Sequence, residues 1–281
     1  MPYAPIPSGQ LYYEEFGQGP AIIATHGFSE CATYWSAGGV ADALARKFRF
    51  VAMDMRGHGL TRVASDAPGF NVETMAHDIA LLADHLGLQN YHLLGHATGS
   101  VVALRHAMSG DKRLSSLAVT SAASATAMIS PDLDENIKFF GNLALFYRDN
   151  DWDAIMTWIR SKPWPFLHRL DLHADRDHLW GKIEDIFRRN DPATLATFLT
   201  SFYTDPDTMV DALRAIKCPT LVVAAEHDDW MQKPSAVIAQ NVPNAKLIEL
   251  PGLGHMTALE APQAIIDAVL AFLEEVETAR R

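Results

Sequence analysis

The sequence has 281 residues, of which 48% are hydrophobic and 20% charged, and its formal net charge is −11. This composition is ordinary for a globular protein with a large buried core. A surface this acidic repels phosphate backbones, so we expect no nucleic-acid partner. The start, MPYAPIPSGQ, lacks the basic and apolar segments of a signal peptide. No apolar run reaches the roughly 18 residues of a membrane span, so we expect a cytoplasmic protein with no membrane partner.

Disulfide and metal sites are not favoured. Two cysteines, Cys31 and Cys218, are too few for a disulfide framework or a cysteine zinc site. The segment HRLDLHADRDH contains His168, His173 and His178, but spacings of five residues do not place three ligands on one helix face. We therefore expect no metal.

The sequence leaves the oligomeric state open, and a homodimer is allowed.

Short apolar runs alternate with helical periodicity on both sides of the middle of the chain. The predicted strands are AIIAT (21–25), FRFVAMD (48–54), YHLLG (91–95), LSSLAVT (114–120), PTLVVAA (219–225) and KLIEL (246–250). Helical faces are formed by Met75, Ile79, Leu82 and Leu86, by Val101, Leu104 and Met108, and by Ile265, Val269, Phe272 and Val276. This alternation is typical of an α/β fold with a mostly parallel sheet covered by helices.

The middle of the chain, residues 125–205, has no convincing strand and is rich in large aromatic residues. Its apolar residues keep helical spacing, as in the set Ile137, Phe140, Ala144 and Tyr147. We predict a core built from residues 1–124 and 206–281, with residues 125–205 inserted as a helical cap over the sheet.

The segment LLGHATGS (93–100) follows a predicted strand and precedes an amphipathic helix. Gly95 and Gly99 have the spacing of a nucleophile elbow, a strained turn that pushes its central side chain out above the sheet. The central residue here is Ala97, which carries no nucleophile, acid or base.

If the elbow forms, an oxyanion hole is expected beside it. One donor is the backbone N–H of Thr98, the residue after the tip. The segment ATHGFSECATYW follows an early strand and supplies a second loop, in which His26 and Gly27 precede Phe28. We predict that the N–H of Phe28 is the second donor.

An acid and a histidine are expected after late strands. The segment TLVVAAEHDDW offers Asp228, with Asp229 as the neighbouring alternative. The segment LPGLGHMTALEAP places His255 in a glycine-rich loop directly before the last helix. There an imidazole can move a proton while the carboxylate fixes its tautomer.

These motifs, HGF, DMRGHG, GHATG, AEHD and GLGH, resemble those of the α/β-hydrolase superfamily. The resemblance covers the whole predicted core and implies the α/β-hydrolase fold, a serine esterase or lactonase-like triad and no cofactor. It implies hydrolysis of a carboxylic ester or lactone of a small, largely apolar molecule. The residues expected to line the substrate site are His26, Gly27, Trp158, Trp164 and Met256.

Three explanations of Ala97 compete. In the favoured one, alanine replaces a nucleophilic serine, and this chain is an inactive variant of a Ser-His-Asp enzyme. In the second, alanine is natural, as the resemblance to the aminoacrylate hydrolases of pyrimidine degradation suggests; His255 and Asp228 then activate water, or the protein binds a ligand without reacting. In the third, the missing residue is a carboxylate, as in epoxide hydrolases and haloalkane dehalogenases, but Thr98 is not the bulky aromatic that follows it there.

Overall fold

The computed structural model describes residues 2–64, 70–122, 133–163, 165–203 and 210–280. The strands in these ranges are β1 (Tyr3–Ile6), β2 (Gly9–Phe16), β3 (Ala21–Thr25), β4 (Arg49–Met53), β5 (Arg62–Val63), β6 (Tyr91–His96), β7 (Leu114–Thr120), β8 (Thr220–Ala225) and β9 (Ala245–Leu250). The helices are α1 (Thr33–Ala37), α2 (Val40–Leu44), α3 (Val72–His85), α4 (Thr98–Met108), α5 (Leu133–Asp149), α6 (Trp152–Ser161), α7 (Arg176–Phe187), α8 (Pro192–Phe202), α9 (Asp229–Asn241), α10 (Thr257–Glu260) and α11 (Pro262–Ala279). Two 3-10 helices span His168–Leu172 and Asp211–Ala215.

The strands form one sheet in the order β1-β2-β4-β3-β6-β7-β8-β9, with β5 also paired to β2. From β4 to β9 every neighbouring pair along this order is parallel, whereas β1, β2 and β5 pair antiparallel at one side. The predicted mostly parallel sheet flanked by helices is confirmed. The carboxyl ends of β3, β6, β7, β8 and β9 therefore meet at one edge, which is where ligands bind in open α/β sheets.

The six strands predicted from apolar runs form within a residue or two of the expected limits, whereas β1, β2 and β5 were not predicted. These three strands lie at the antiparallel side and are only partly buried; in β2, Leu11 and Tyr13 face inward while their neighbours do not. A strand covered on one face alternates in polarity and gives no continuous apolar run.

Each central strand contributes to two hydrophobic cores, one on each face of the sheet. Ile22 and Ala24 of β3 pack into the core that contains α1, α2 and α11, whereas Ile23 packs into the core that contains α3 and α4. The side chains of a strand point alternately to opposite faces, so burial on both faces requires the unbroken apolar runs seen in the sequence.

Helices α5 to α8 lie between β7 and β8, and we call residues 133–203 the helical segment. Its described residues contain no strand. Phe140, Ala144 and Tyr147 are buried in the first core, but Ile137, predicted on the same face, is 43% exposed. The predicted boundaries near residues 125 and 205 fall outside the described residues, so the division into core and cap stays a prediction. No helix among the described residues is long and apolar enough to cross a bilayer.

A buried ion pair ties the loop after β4 to α3. Arg56 and Asp78 are each 1% exposed and form two hydrogen bonds, one of 2.9 Å from Arg56 Nη2 to Asp78 Oδ1. The guanidinium also donates to the Pro7 carbonyl at 3.2 Å. Removing one partner of such a pair leaves an uncompensated buried charge.

We expect Asp78→Ala to lower the free energy of unfolding by about 3–5 kcal/mol, because the Arg56 guanidinium would remain buried without its carboxylate. Urea unfolding followed by circular dichroism measures the change. Asp149→Ala is the control, because it removes the carboxylate of the exposed Arg148–Asp149 pair. It should leave the urea concentration at the unfolding midpoint unchanged. Equal midpoints for the two variants would contradict a structural role of the buried pair.

Candidate active site

The strand β6 ends in a sharp corner at Ala97. Ala97 has φ 47° and ψ −117°, and α4 begins at the next residue, Thr98. A non-glycine residue in such a sparsely populated region costs about 1–3 kcal/mol, which the surroundings must offset. The Ala97 N–H donates to the Thr120 carbonyl at 3.1 Å, and the Ala97 carbonyl accepts from the Ser100 N–H at 2.9 Å. The backbone therefore has the form of a nucleophile elbow, with a methyl group at its tip.

The two glycines of the elbow are required by close backbone contacts. A Cβ on Gly95 would lie 2.8 Å from Ser100 Cα, and a Cβ on Gly99 would lie 2.4 Å from the His26 carbonyl oxygen. Real Cβ atoms do not approach so closely, so a larger residue at 95 would force the strand away from the start of α4, and one at 99 would push the elbow away from the end of β3. This contact brings the loop after β3 beside Ala97.

The predicted oxyanion donors, the N–H groups of Phe28 and Thr98, donate to no other residue in the described part of the chain. Tyr203 contacts both residues. Its hydroxyl shares a 2.7 Å hydrogen bond with Thr98 Oγ1, and its ring centroid lies 6.3 Å from that of Phe28. The side chains of the two residues therefore meet around Tyr203, and the oxyanion role of their backbone N–H groups stays a prediction.

The loop that carries Phe28 is fixed by its own polar groups. The ring of His26 hydrogen-bonds the Gly27 carbonyl through Nδ1 at 2.8 Å and accepts the Met55 N–H at Nε2, at 3.0 Å. The Gly27 N–H donates to Glu30 Oε2 at 2.6 Å. His26 and Gly27 were predicted to contact substrate, but both ring nitrogens and the glycine N–H are already paired within the protein. These groups shape the loop.

His255 pairs with Asp228. His255 Nδ1 lies 2.9 Å from Asp228 Oδ2, whose side chain is 1% exposed, whereas the alternative acid, Asp229, is exposed at the start of α9. Ser121, just beyond β7, donates to the His255 carbonyl at 2.9 Å. The His255 ring centroid is 5.1 Å from that of His96, the residue before Ala97. The pair therefore stands beside the end of the strand that leads into the elbow.

The pKa of His255 is set by opposing effects. Burial works to lower the pKa of the imidazole, but the carboxylate of Asp228 raises it, with smaller contributions from Glu30 and Glu260. The net result is a pKa above the usual 6.5. A neutral imidazole with Nδ1–H held by a carboxylate presents Nε2 as a base, and the nearby carboxylates stabilise the imidazolium that forms when it takes a proton.

The predicted substrate-lining side chains have different positions. Met256 is buried, 1% exposed, next to His255. Trp158 is 37% exposed. Its ring centroid lies 5.1 Å from that of Phe146, so this ring contact is within the helical segment. Trp164 lies outside the described residues. The sequence patterns did not identify which aromatic of the segment would be nearest the site.

Several residues at the site were not singled out from the sequence. The Phe166 ring centroid lies 4.7 Å from that of His255. Tyr147 shares a 3.3 Å hydrogen bond with Ser29, and burial raises the pKa of this phenol to about 12, so it stays protonated. Glu30 is 2% exposed and lies 3.3 Å from His96 Nε2, close enough for an ion pair but not aligned as a hydrogen bond. Glu30 lies in the quoted segment ATHGFSECATYW, but no spacing rule marks it.

No group of three or more His, Cys, Asp or Glu side chains among the described residues is placed to hold a metal ion. The three histidines of HRLDLHADRDH, His168, His173 and His178, are not part of any such group. His173 instead contacts a single carboxylate, that of Glu260, at 3.1 Å.

We expect Glu30→Gln to lower the pKa of His255, because the variant removes a buried negative charge that favours the imidazolium. Glutamine keeps an oxygen that can accept the Gly27 N–H, so the loop should hold its shape. An NMR titration of the histidine ring resonances measures the pKa in the present chain, without any activity. Glu275→Gln, at an exposed position of α11, is the matched control. An equal or higher pKa in Glu30→Gln would contradict this electrostatic role.

Comparison with known proteins identifies the family of this chain. The sequence profile described as "Alpha/beta hydrolase family" matches residues 22–268. The chain is 34% identical over 277 residues to a putative carbamate hydrolase RutD from Caulobacter sp. (strain K31), covering 94% of this chain and 95% of that protein.

Solved structures are similar as well. The structure of a thermophilic esterase from Thermogutta terrifontis superposes with a TM-score of 0.82 at 25% identity, covering 95% of this chain and 94% of that one. An enol-lactonase from Burkholderia xenovorans LB400 has the same fold, with a TM-score of 0.81 at 22% identity, covering 97% and 100% of the two chains. The predicted α/β-hydrolase fold is confirmed, and the chain belongs to the alpha/beta hydrolase family.

Proposed function

We propose that this site hydrolyses a carboxylic ester or lactone of a small, largely apolar molecule, and that the present chain lacks the nucleophilic hydroxyl at position 97. The observation that carries the proposal is the His255–Asp228 pair beside the His96–Ala97 corner. The free backbone donors of Phe28 and Thr98 add to it. Such an arrangement of base, acid and oxyanion donors around an elbow is what acyl transfer requires.

In the form with serine at position 97, the hydroxyl oxygen attacks the substrate carbonyl carbon while His255 Nε2 accepts its proton. Asp228 holds the Nδ1–H and stabilises the imidazolium without taking the proton. The N–H groups of Phe28 and Thr98 bind the negative oxygen of the tetrahedral intermediate. The imidazolium then protonates the leaving alkoxide, and water, deprotonated by His255, hydrolyses the acyl-enzyme. No cofactor takes part.

The charge of the site favours an uncharged substrate. The side chains of Glu30, Asp228 and Glu260 are 2%, 1% and 0% exposed, and all three act electrostatically on His255. A substrate carboxylate placed among them would be repelled in surroundings of low dielectric constant. Aromatic rings supply apolar contacts instead, among them Phe28 and Phe166.

A second candidate is hydrolysis without a covalent intermediate. It is favoured by the similarity to the putative carbamate hydrolase, since a carbamate also presents a carbonyl to an oxyanion hole. In this case alanine at position 97 is the working residue. His255 Nε2 then deprotonates a water molecule, which attacks the carbonyl directly, and the intermediate collapses with loss of the leaving group.

We expect Ala97→Ser to raise the hydrolysis of a short-chain p-nitrophenyl ester by about three to six powers of ten, the range that the nucleophile of a triad controls. Release of p-nitrophenol measures the rate. The double variant Ala97→Ser with His255→Ala should fall back to the rate of the present chain, because the hydroxyl loses its base. No increase in Ala97→Ser would defeat the covalent mechanism.

The same assays separate the alternatives. If the present chain already hydrolyses a carbamate or ester, loses that activity in His255→Ala and gains nothing from Ala97→Ser, the water mechanism is correct. If Ala97→Ser is inert while the protein binds an apolar ligand tightly, the site is a non-catalytic binding module.

A further inference from the structure

Glu260 contacts the loop of His255 on both sides of the histidine. Its side chain is 0% exposed; Oε2 accepts the N–H of Gly254 at 2.9 Å, and Oε1 accepts the N–H of Met256 at 3.0 Å. The N–H groups of the residues before and after His255 are thereby fixed to one carboxylate. Together with Ser121, which donates to the His255 carbonyl, this sets the backbone from which the imidazole projects.

The third partner of Glu260 comes from the helical segment. His173, which follows the 3-10 helix His168–Leu172, lies with Nε2 3.1 Å from Glu260 Oε2. From the same 3-10 helix, Arg169 donates to the Gly252 carbonyl at 3.2 Å. The helical segment therefore contacts the loop of His255 both through a carboxylate and directly.

The contact between the helical segment and the loop of His255 depends on the residue at position 254. A Cβ on Gly254 would lie 2.7 Å from Arg169 Cβ and 3.0 Å from Glu260 Oε1. Glycine is thus required at this position so that the helical segment and the carboxylate can both reach the loop. Yet a glycine-rich loop is conformationally free, and a catalytic imidazole must be held within about 0.5 Å of its productive position. The loop that carries His255 therefore needs contacts from residues outside it to fix its conformation.

We propose that Glu260 is a positioning residue for His255, and that His173 couples the docking of the helical segment to the orientation of that imidazole. The proposal rests on the proposed function, in which His255 is the base. Glu260 acts through the N–H groups of residues 254 and 256, in addition to its smaller electrostatic effect on His255. A carboxylate suits the task because each of its two oxygens accepts from one flanking N–H, whereas an amide would turn its NH₂ group toward one of them.

The test uses Glu260→Gln and His173→Gln, each made in the present chain and in Ala97→Ser. Matched controls are Glu249→Gln, on the exposed side of β9, and His178→Gln, exposed on α7. In the Ala97→Ser background we expect kcat to fall about 10- to 100-fold for Glu260→Gln and about 3- to 10-fold for His173→Gln, with KM changed less than about threefold. A purely structural role would lower the amount of folded enzyme without this division between kcat and KM.

A second readout does not depend on activity. In the present chain, the NMR resonance of the His255 Nδ1 proton reports its hydrogen bond to Asp228. We expect this resonance to shift or broaden in Glu260→Gln and His173→Gln and to stay unchanged in both controls. If Glu260→Gln does not fold, His173→Gln decides the matter by the same measurement.

Unchanged resonances in folded Glu260→Gln and His173→Gln would overturn the positioning role. If all Ala97→Ser forms are inactive while the resonance responds as expected, the proposed ester hydrolysis fails and the positioning role stands. If Ala97→Ser is active and kcat is indifferent to both substitutions, the positioning role fails and the proposed function stands.

Discussion

The backbone corner at Ala97 is the constraint on which the site depends. The chain must leave β6 and enter α4 within one residue, and it does so through a conformation that alanine adopts only at a cost. Gly95 lets the end of β6 approach the first turn of α4, and Gly99 lets α4 come into backbone contact with the end of β3. The loop after β3 and the elbow are consequently neighbours.

Around this corner, buried carboxylates hold the loops that carry the functional groups. Glu30 fixes the peptide of Gly27 in the loop after β3, Asp228 fixes the ring of His255, and Glu260 fixes the backbone around His255. A hydrogen bond to a charged group is stronger than one between neutral groups, and more so away from water. The same three carboxylates raise the pKa of His255, so one set of residues both fixes the loops and favours the imidazolium.

The sequence predicted the parts that depend on local pattern. Central strands were recognised because burial on both faces demands apolar runs, and the elbow and His255 because glycine-bounded turns have fixed spacing. Edge strands such as β2 were missed, since they are half-buried. Glu30 and Glu260 were missed for another reason. They accept hydrogen bonds from backbone N–H groups, and every residue type except proline has such a group, so no sequence motif marks the contact. The contact between His173 and Glu260 joins residues 87 positions apart, and only the folded chain brings them together.

We propose position 97 as the reactive point served by His255. Its most direct test is covalent labelling of the Ala97→Ser form with a fluorophosphonate, followed by intact-mass and peptide mass spectrometry. We expect one phosphonyl group per chain, attached at position 97, and none on the unsubstituted chain. Labelling at Ser100 or Ser29 instead, or equal labelling with and without the introduced hydroxyl, would contradict it.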